Sequence, residues 1–320
     1  MGEKNDAMCS YLSVPEVFAD FVNGTLFNGR SRIKEKDVQS YDGVYHEKIT
    51  DRCGTKQKLE RERDVVKGIM KGNKYAIVGV ENQNKVHYAM PFRCMEYEVA
   101  EYIRQLKIIK MNFQKECRTG EEFLSGMSKN EKLNPVVVIM FYHGMGEYEG
   151  SRDLYGILDL EGENEIYKEF ITNYQMNLVT LQDIKEENFK TGLRQLLGVM
   201  KRSEDKNALR NYIKENAEEF SHLDEETFDV MSVMVNQKDL MKYKEDWRNV
   251  RGEIDMCRAI EGIKEEGREE GREQGRMEGE LKLGLLISKL FADGRLEDVQ
   301  KAANDECARK EFYREYKIAN

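Results

Sequence analysis

Hydrophobic positions along the chain fall into two alternating kinds of pattern, and together these predict most of its architecture. In PEVFADFVNGTLF, residues 15 to 27, Val17, Phe18, Phe21, Val22 and Leu26 form one stripe at helical spacing, with Pro15 suited to a first turn. RERDVVKGI and YAIVGVENQ read as two β-segments joined at MKGNK, where Gly72-Asn73 supplies tight-turn chemistry, so the pair predicts a hairpin. After Pro91, the residues Met95, Val99, Tyr102, Ile103, Leu106 and Ile109 recur at helical intervals and predict a long second helix. PVVVIMFYHG is short, continuously apolar and β-branched, as a fully buried strand is, and YQMNLVTL predicts one more strand. From about residue 184 the strand pattern stops. FKTGLRQLLGVMKRS, KNALRNYIKENAEEF and ETFDVMSVMVN are helical.

This order predicts an α/β sandwich with a central strand covered on both faces. One feature of that strand is unusual: YAIVGV runs directly into Glu81-Asn82-Gln83. Side chains alternate along an extended strand, so Glu81 and Gln83 share a face at the exit of a buried strand, with Asp64 on the neighbouring strand. Two carboxylates on adjacent strands with a polar side chain two residues on are the minimum set for holding a hard divalent cation and aiming a water at a phosphate. The competing reading is a structural ion pair, with Arg61 or Arg63 compensating Glu81.

Composition narrows the classes further. The chain has 320 residues, 40% of them hydrophobic and 35% charged, enough for one sizeable core and a smaller unit. No long apolar run exists and MGEKNDAMCS is polar, so neither a membrane span nor a secretory leader is expected, and the expected compartment is the cytoplasm. Cys9, Cys53, Cys94, Cys117, Cys257 and Cys307 are widely spaced, with no CxxC pair, and read as free thiols rather than zinc ligands or disulfides. The net charge of −9 is unevenly distributed. Residues 51 to 120 carry a net excess of about +6, the difference between 15 basic and 9 acidic side chains, beside the candidate site.

The stretch DVVKGIMKGNKYAIVGVENQ followed by HYAMPFRCMEY resembles the recombination-promoting nuclease / putative transposase family, a bacterial branch of the PD-(D/E)XK nucleases. The match consists of Asp64, a strand ending in Glu81 and Gln83, and a helix opening with Met90, Arg93 and Tyr97. It extends in outline to PVVVIMFYHG and to the EGREEGREQGR run. The resemblance implies a restriction-endonuclease-like αβββαβ core over residues 12–184, a helical region over 185–256, and a charged helix with a terminal helical unit over 257–320, so that the C-terminal region is all-α. It implies a metal-dependent DNA endonuclease used in recombination or by mobile elements. Asp64 and Glu81 would bind Mg2+, with Mn2+ as a substitute, and Gln83 stands where the superfamily carries Lys. Gln83 cannot act as a base and would only orient a water or a phosphate oxygen. Asp20 sits where related nucleases place an accessory acid, and its ordinary alternative is a solvated helical Asp. Arg93, Tyr97 and Arg104 would meet the DNA backbone, although Tyr97 and Tyr102 also suit a core. His143 has no partner at ligand spacing and reads as a loop hydrogen-bonder. The alternative to the enzyme is a catalytically inactive DNA-binding or protein-interaction module of the same fold.

Residues 261–286 repeat glycine at 267, 271, 275 and 279, flanked by Glu and Arg at pairing distance. Glycine costs a helix roughly 1 kcal/mol relative to alanine, so a lone helix of this composition is marginal. The segment is therefore expected either to pair as a helix in a homodimer or to be a solvated linker. Light scattering separates the two: deletion of residues 261–320 lowers the measured mass if the segment pairs, and a monomeric full-length chain excludes pairing.

Overall fold

The computed structural model describes residues 2–41, 45–50, 56–61, 64–113, 119–236 and 238–318. Cys53, Cys117 and Arg63, named above, lie outside them. The chain divides into two units, Met1–Cys257 and Arg258–Asn320.

The first unit is mixed α/β and is built on a five-stranded sheet. Two helices open it, α1 (Glu3–Leu12) and α2 (Pro15–Leu26), followed by strand β1 (Val38–Ser40) and the antiparallel pair β2 (Tyr45–Thr50) and β3 (Lys56–Arg61). The expected hairpin is β4 (Val65–Lys71) and β5 (Lys74–Gln83), turning at Gly72, whose φ of 61° lies in the left-handed region that glycine enters without strain. Helix α3 (Met90–Phe113) and the short α4 (Gly120–Ser125) lead to β6 (Val136–Tyr142), and β7 (Asn177–Thr180) completes the sheet. Its order is β1-β4-β5-β6-β7, antiparallel as far as β5 and parallel beyond, while β2 and β3 form a separate two-stranded sheet. Helices α5 (Leu193–Lys201), α6 (Lys206–Glu215), α7 (Ala217–Phe220) and α8 (Glu225–Met234) come after the sheet.

Strand β5 is central, and its apolar run reflects burial on both faces. On one face, Val138, Met140 and Tyr142 pack against Met90, Cys94 and Tyr97 of α3, and Val66, Ile77 and Val136 receive Tyr102. On the other, the Phe21 ring of α2 meets Phe141 edge-on at 5.2 Å, and α1 lies against β5. Of the stripe on α2, Val17, Phe18, Phe21 and Val22 are buried, as the pattern predicts. Helix α1 is not anticipated by the hydrophobic pattern. Its Met8, Tyr11 and Leu12 are buried, and α1 also packs on α8, where the Tyr11 hydroxyl bonds that of Thr227 at 2.6 Å.

Asp20 ties α2 to the chain entering α5, and the expectation of a solvated Asp is corrected: it is 7% exposed. Its Oδ2 accepts from the backbone N–H groups of Lys190 and Thr191 and from the Thr191 hydroxyl, all at 2.8 Å. Burial demands those donors, because a buried carboxylate is costly without hydrogen bonds.

In the second unit, the end of α9 (Met256–Ala292) packs with α10 (Leu296–Asn304) and α11 (Glu306–Glu315) around Leu286, Leu290, Ala302 and Phe312. Residues 261–286 are helical, Arg272 pairs with Glu269 at 3.7 Å, and each of the four stripe glycines faces open space. No described helix is long and apolar enough to cross a membrane.

Replacing Asp20 with Ala leaves two backbone N–H groups and a hydroxyl without their acceptor, so chemical denaturation is expected to show a loss of about 1–3 kcal/mol. A stability unchanged by Asp20→Ala would remove the anchoring role.

Candidate functional site

The candidate site forms where β4 begins and β5 ends. The β4–β5 ladder pairs Val65 with Val80 and Val66 with Gly79, and Asp64, the residue just before β4, continues that line towards Glu81. Alternate residues along such a strand share a face. That face is the α3 face, because Glu81 pairs with Met140 and Gln83 with Tyr142 across the parallel ladder, and both partners pack on α3. Asp64, Glu81 and Gln83 therefore converge on one side of the sheet, while Asn82 between them points to the α1 side.

Glu81 has no exposed surface, whereas Asp64 and Gln83 are half-buried. The Asp64 Oδ2 accepts from the backbone N–H of Asn82 at 2.7 Å, which fixes its carboxylate against the strand end. Arg93, on the first turn of α3, brings a guanidinium nitrogen to 3.6 Å from Glu81 Oε2 and donates to the Tyr97 hydroxyl at 2.9 and 3.2 Å. Burial works against the charge of Arg93, but the Tyr97 hydroxyl and the carboxylates of Glu81 and Asp64 outweigh it and hold its pKa above the ordinary value. Both acids thus act on one cation. Glu81 takes Arg93 of α3 as an ionic partner; the side chains of Arg61 and Arg63 lie outside the described residues.

Cysteines flank the acids. Burial, followed by the charges of Glu81 and Glu98, pushes the Cys94 thiol up to about 12, and burial followed by Asp64 does the same at Cys9. Both are protonated thiols at neutral pH and poor nucleophiles.

Beneath the strand ends, α1 supplies a polar network that the sequence pattern gives no sign of. Asn5 donates to the Asn82 carbonyl at 3.2 Å, its own carbonyl accepts from the Asn82 amide at 3.4 Å, and its Oδ1 lies 3.2 Å from His143 Nε2. His143 also closes the β5–β6 exit by donating its backbone N–H to the Gln83 carbonyl at 2.9 Å. Its imidazole is buried, and burial followed by the charge of Lys4 drives its pKa down to about 4. It is a neutral hydrogen-bonding residue of the loop, as expected.

Two expected DNA contacts are placed differently. Tyr97 is 2% exposed inside the α3–sheet cluster, which removes it from any DNA surface. Arg104 is engaged by the Glu101 carboxylate at 3.2 Å and by the Tyr41 hydroxyl, and it lies 4.8 Å over the Tyr41 ring. Asp20, hydrogen-bonded to segment 190–191, belongs to α2 on the opposite face of the sheet from Glu81. Among the described residues no three Asp, Glu, His or Cys side chains gather into a metal cage. Two carboxylates with a neighbouring amide nonetheless suit Mg2+, which takes one or two carboxylates and keeps several waters.

A family described as "Putative transposase, YhgA-like" matches residues 66–230, just over half of the chain. The chain belongs to this family. The matched segment runs from β4 to α8 and contains Glu81, Gln83 and Arg93, with Asp64 two residues ahead of it. No curated protein and no solved structure matches the chain.

A buried neutral histidine takes up a proton on unfolding. Between pH 6.5 and about 4 the unfolded chain binds more protons at His143 than the native one, and stability falls as pH falls. The full effect is on the order of 3 kcal/mol. His143→Asn should flatten acid denaturation across that window, and an unchanged slope would contradict a buried neutral imidazole.

Proposed function

We propose that this member of the YhgA-like putative transposase family is a metal-dependent endonuclease of the PD-(D/E)XK type, with a restriction-endonuclease-like core, that hydrolyses DNA phosphodiester bonds in recombination or mobile-element processes in the cytoplasm. The supporting observation is the convergence of Asp64 and Glu81 on one face of adjacent strands at the mouth of a buried central strand.

In this reading Asp64 and Glu81 hold one or two Mg2+ ions, with Mn2+ as a substitute. When bound, the ion lowers the pKa of a water and neutralises charge building on the phosphate. The Asn82 N–H holds the Asp64 carboxylate at the strand end, so that little reorganisation is needed when an ion arrives. Gln83 orients the attacking water or a phosphate oxygen through its amide, having no basicity with which to take a proton. Arg93 compensates the acids before the ion arrives, then offers its guanidinium to the phosphate. The family membership favours DNA as the substrate.

One observation favours a catalytically inactive DNA-binding or interaction module instead. The Arg93–Glu81 contact is the kind of ion pair that would lock such a site. Its separation of 3.6 Å is long for a charge-assisted hydrogen bond, which leaves room for exchange.

Incubation of supercoiled plasmid with the full-length protein decides between the two. The enzyme reading expects nicking or linearisation with Mg2+ and none with EDTA, with Gln83→Lys retaining cleavage and Glu81→Gln losing on the order of a hundredfold or more in rate. Glu81→Gln should be as stable as the parent or more so, since it removes a buried charge. Lowered stability with persistent cleavage would make Glu81 half of a structural ion pair.

A further inference from the structure

Two buried polar side chains of α2 hold segments that carry cations. Asn23, 6% exposed, grips the loop between α2 and β1: its Oδ1 accepts from the backbone N–H groups of Arg32 and Ile33 at 2.9 and 3.0 Å, and its amide donates to the Ile33 carbonyl at 2.7 Å. Asp20, one turn earlier, fixes the backbone of Lys190 and Thr191. The two held segments meet, because Lys190 Nζ donates to the Ser31 hydroxyl at 2.8 Å. The β4–β5 turn joins them through Lys71, whose Nζ donates to the Arg32 carbonyl at 3.0 Å and which stands directly across the ladder from Lys74.

Residues 28–37, 71–74 and 188–191 thus gather seven Lys and Arg side chains against two carboxylates, Glu35 and Asp37, in a chain whose net charge is −9. All seven are exposed, and among the described residues none has a carboxylate at ion-pair distance, whereas Arg202, Lys244 and Arg248 each do. Asp37 instead accepts from the backbone N–H of Lys34 at 3.0 Å. Like charges across an antiparallel ladder destabilise it, and cations gathered on one surface repel one another. Fixing their backbones with buried hydrogen bonds makes physical sense when a polyanion lies there, since restrained groups lose less freedom on binding.

The chemistry of the surface selects the polyanion. Ile33 and Phe189, the only apolar side chains of the three segments, are buried, so the patch offers no aromatic ring to an unstacked base and no apolar face to a bilayer. What remains is ammonium charges and guanidinium forks, which suit the phosphate backbone of a duplex, with its negative charge about every 1.7 Å. Lys71 is seven residues along β4 from Asp64, roughly 23 Å at about 3.3 Å per residue, so the patch lies away from the acids.

We infer that this surface is an anchoring contact for the phosphate backbone of duplex DNA, outside the segment presented to Asp64 and Glu81. It rests on the proposed function for DNA as the partner, but the binding itself is tested without cleavage.

The experiment is fluorescence anisotropy of a labelled random-sequence duplex with full-length protein in EDTA. With Arg30, Arg32 and Lys34 all changed to Gln, affinity at low salt should fall at least ~10-fold, and the slope of log K against log salt should become shallower by about 2–3, at roughly 0.9 per phosphate released. None of these side chains makes a hydrogen bond or ion pair among the described residues, so thermal unfolding should be unchanged or raised. Changing Lys206, Arg210 and Lys214 of α6 to Gln removes the same charge elsewhere and should leave affinity and slope near wild type. Equal losses in both triple variants would assign the effect to net charge and overturn the proposal. Wild-type affinity and slope in the first triple would overturn it too, as would an equal loss on single-stranded DNA or a fall in thermal stability that accounts for the loss of binding. Tighter binding of polyglutamate than of duplex at equal charge would give the patch to an acidic protein and overturn it as well. Patch-dependent duplex binding without plasmid cleavage upholds the anchor while the nuclease reading fails; cleavage by a protein whose duplex binding ignores these cations overturns the anchor alone.

Discussion

A carboxylate with no exposed surface at the end of a buried strand is the constraint around which this fold is arranged. Glu81 cannot remain ionised there without a nearby cation, because the cost of an isolated buried charge exceeds anything local packing returns. The chain meets that requirement from α3, whose first turn delivers Arg93, and the position of α3 is in turn set by Met90, Cys94 and Tyr97 against Val138, Met140 and Tyr142. The same sheet face carries Asp64. Both acids act on Arg93, and a divalent ion bound between them would take over that compensating role.

The opposite side of the sheet fixes the strand ends instead of supplying charge. Asn82 faces α1, where Asn5 holds it through neutral hydrogen bonds and in turn meets the His143 imidazole, and its backbone N–H holds Asp64. Successive residues Glu81 and Asn82 therefore serve different sides of one strand, the first presenting charge and the second restraining the frame around it. Asp20 does comparable work further out, fastening α2 to the segment that enters α5.

How much of this was legible depends on what each element contributes. Strands β5 and β6 are readable from their apolar runs and α2 from its stripe at a period of 3.6; the extent of α3 is readable too, but its buried face is Met90, Cys94, Tyr97 and Ala100 and not the expected stripe through Met95 and Val99, the latter 47% exposed. Helix α1 was missed because EKNDAMCSYL is largely polar, yet its buried Met8, Tyr11 and Leu12 sit three and four residues apart. The β2–β3 ribbon was invisible because HEKIT and KQKLER lack an apolar alternation, and only the structure supplies its register. Glu81 and Gln83 can be placed on one face from strand parity alone, whereas Asp64 joins them only through the β4–β5 register. The direction of Arg93 could not, although its position three residues after Met90 and four before Tyr97 puts it on the helix stripe that faces the sheet. Tyr97 reads as a DNA contact in the sequence because spacing does not show which side of α3 the core occupies.

The central claim is that Asp64 and Glu81 together form a site for a divalent cation, with Arg93 compensating them in its absence. Calorimetric titration of Mn2+ into the DNA-free protein tests it most directly. The account predicts binding of one or two ions that is lost in Glu81→Gln and in Asp64→Asn, and tightened in Arg93→Met, where the competing cation is gone. Absence of binding, or binding that neither acid substitution alters, would contradict it.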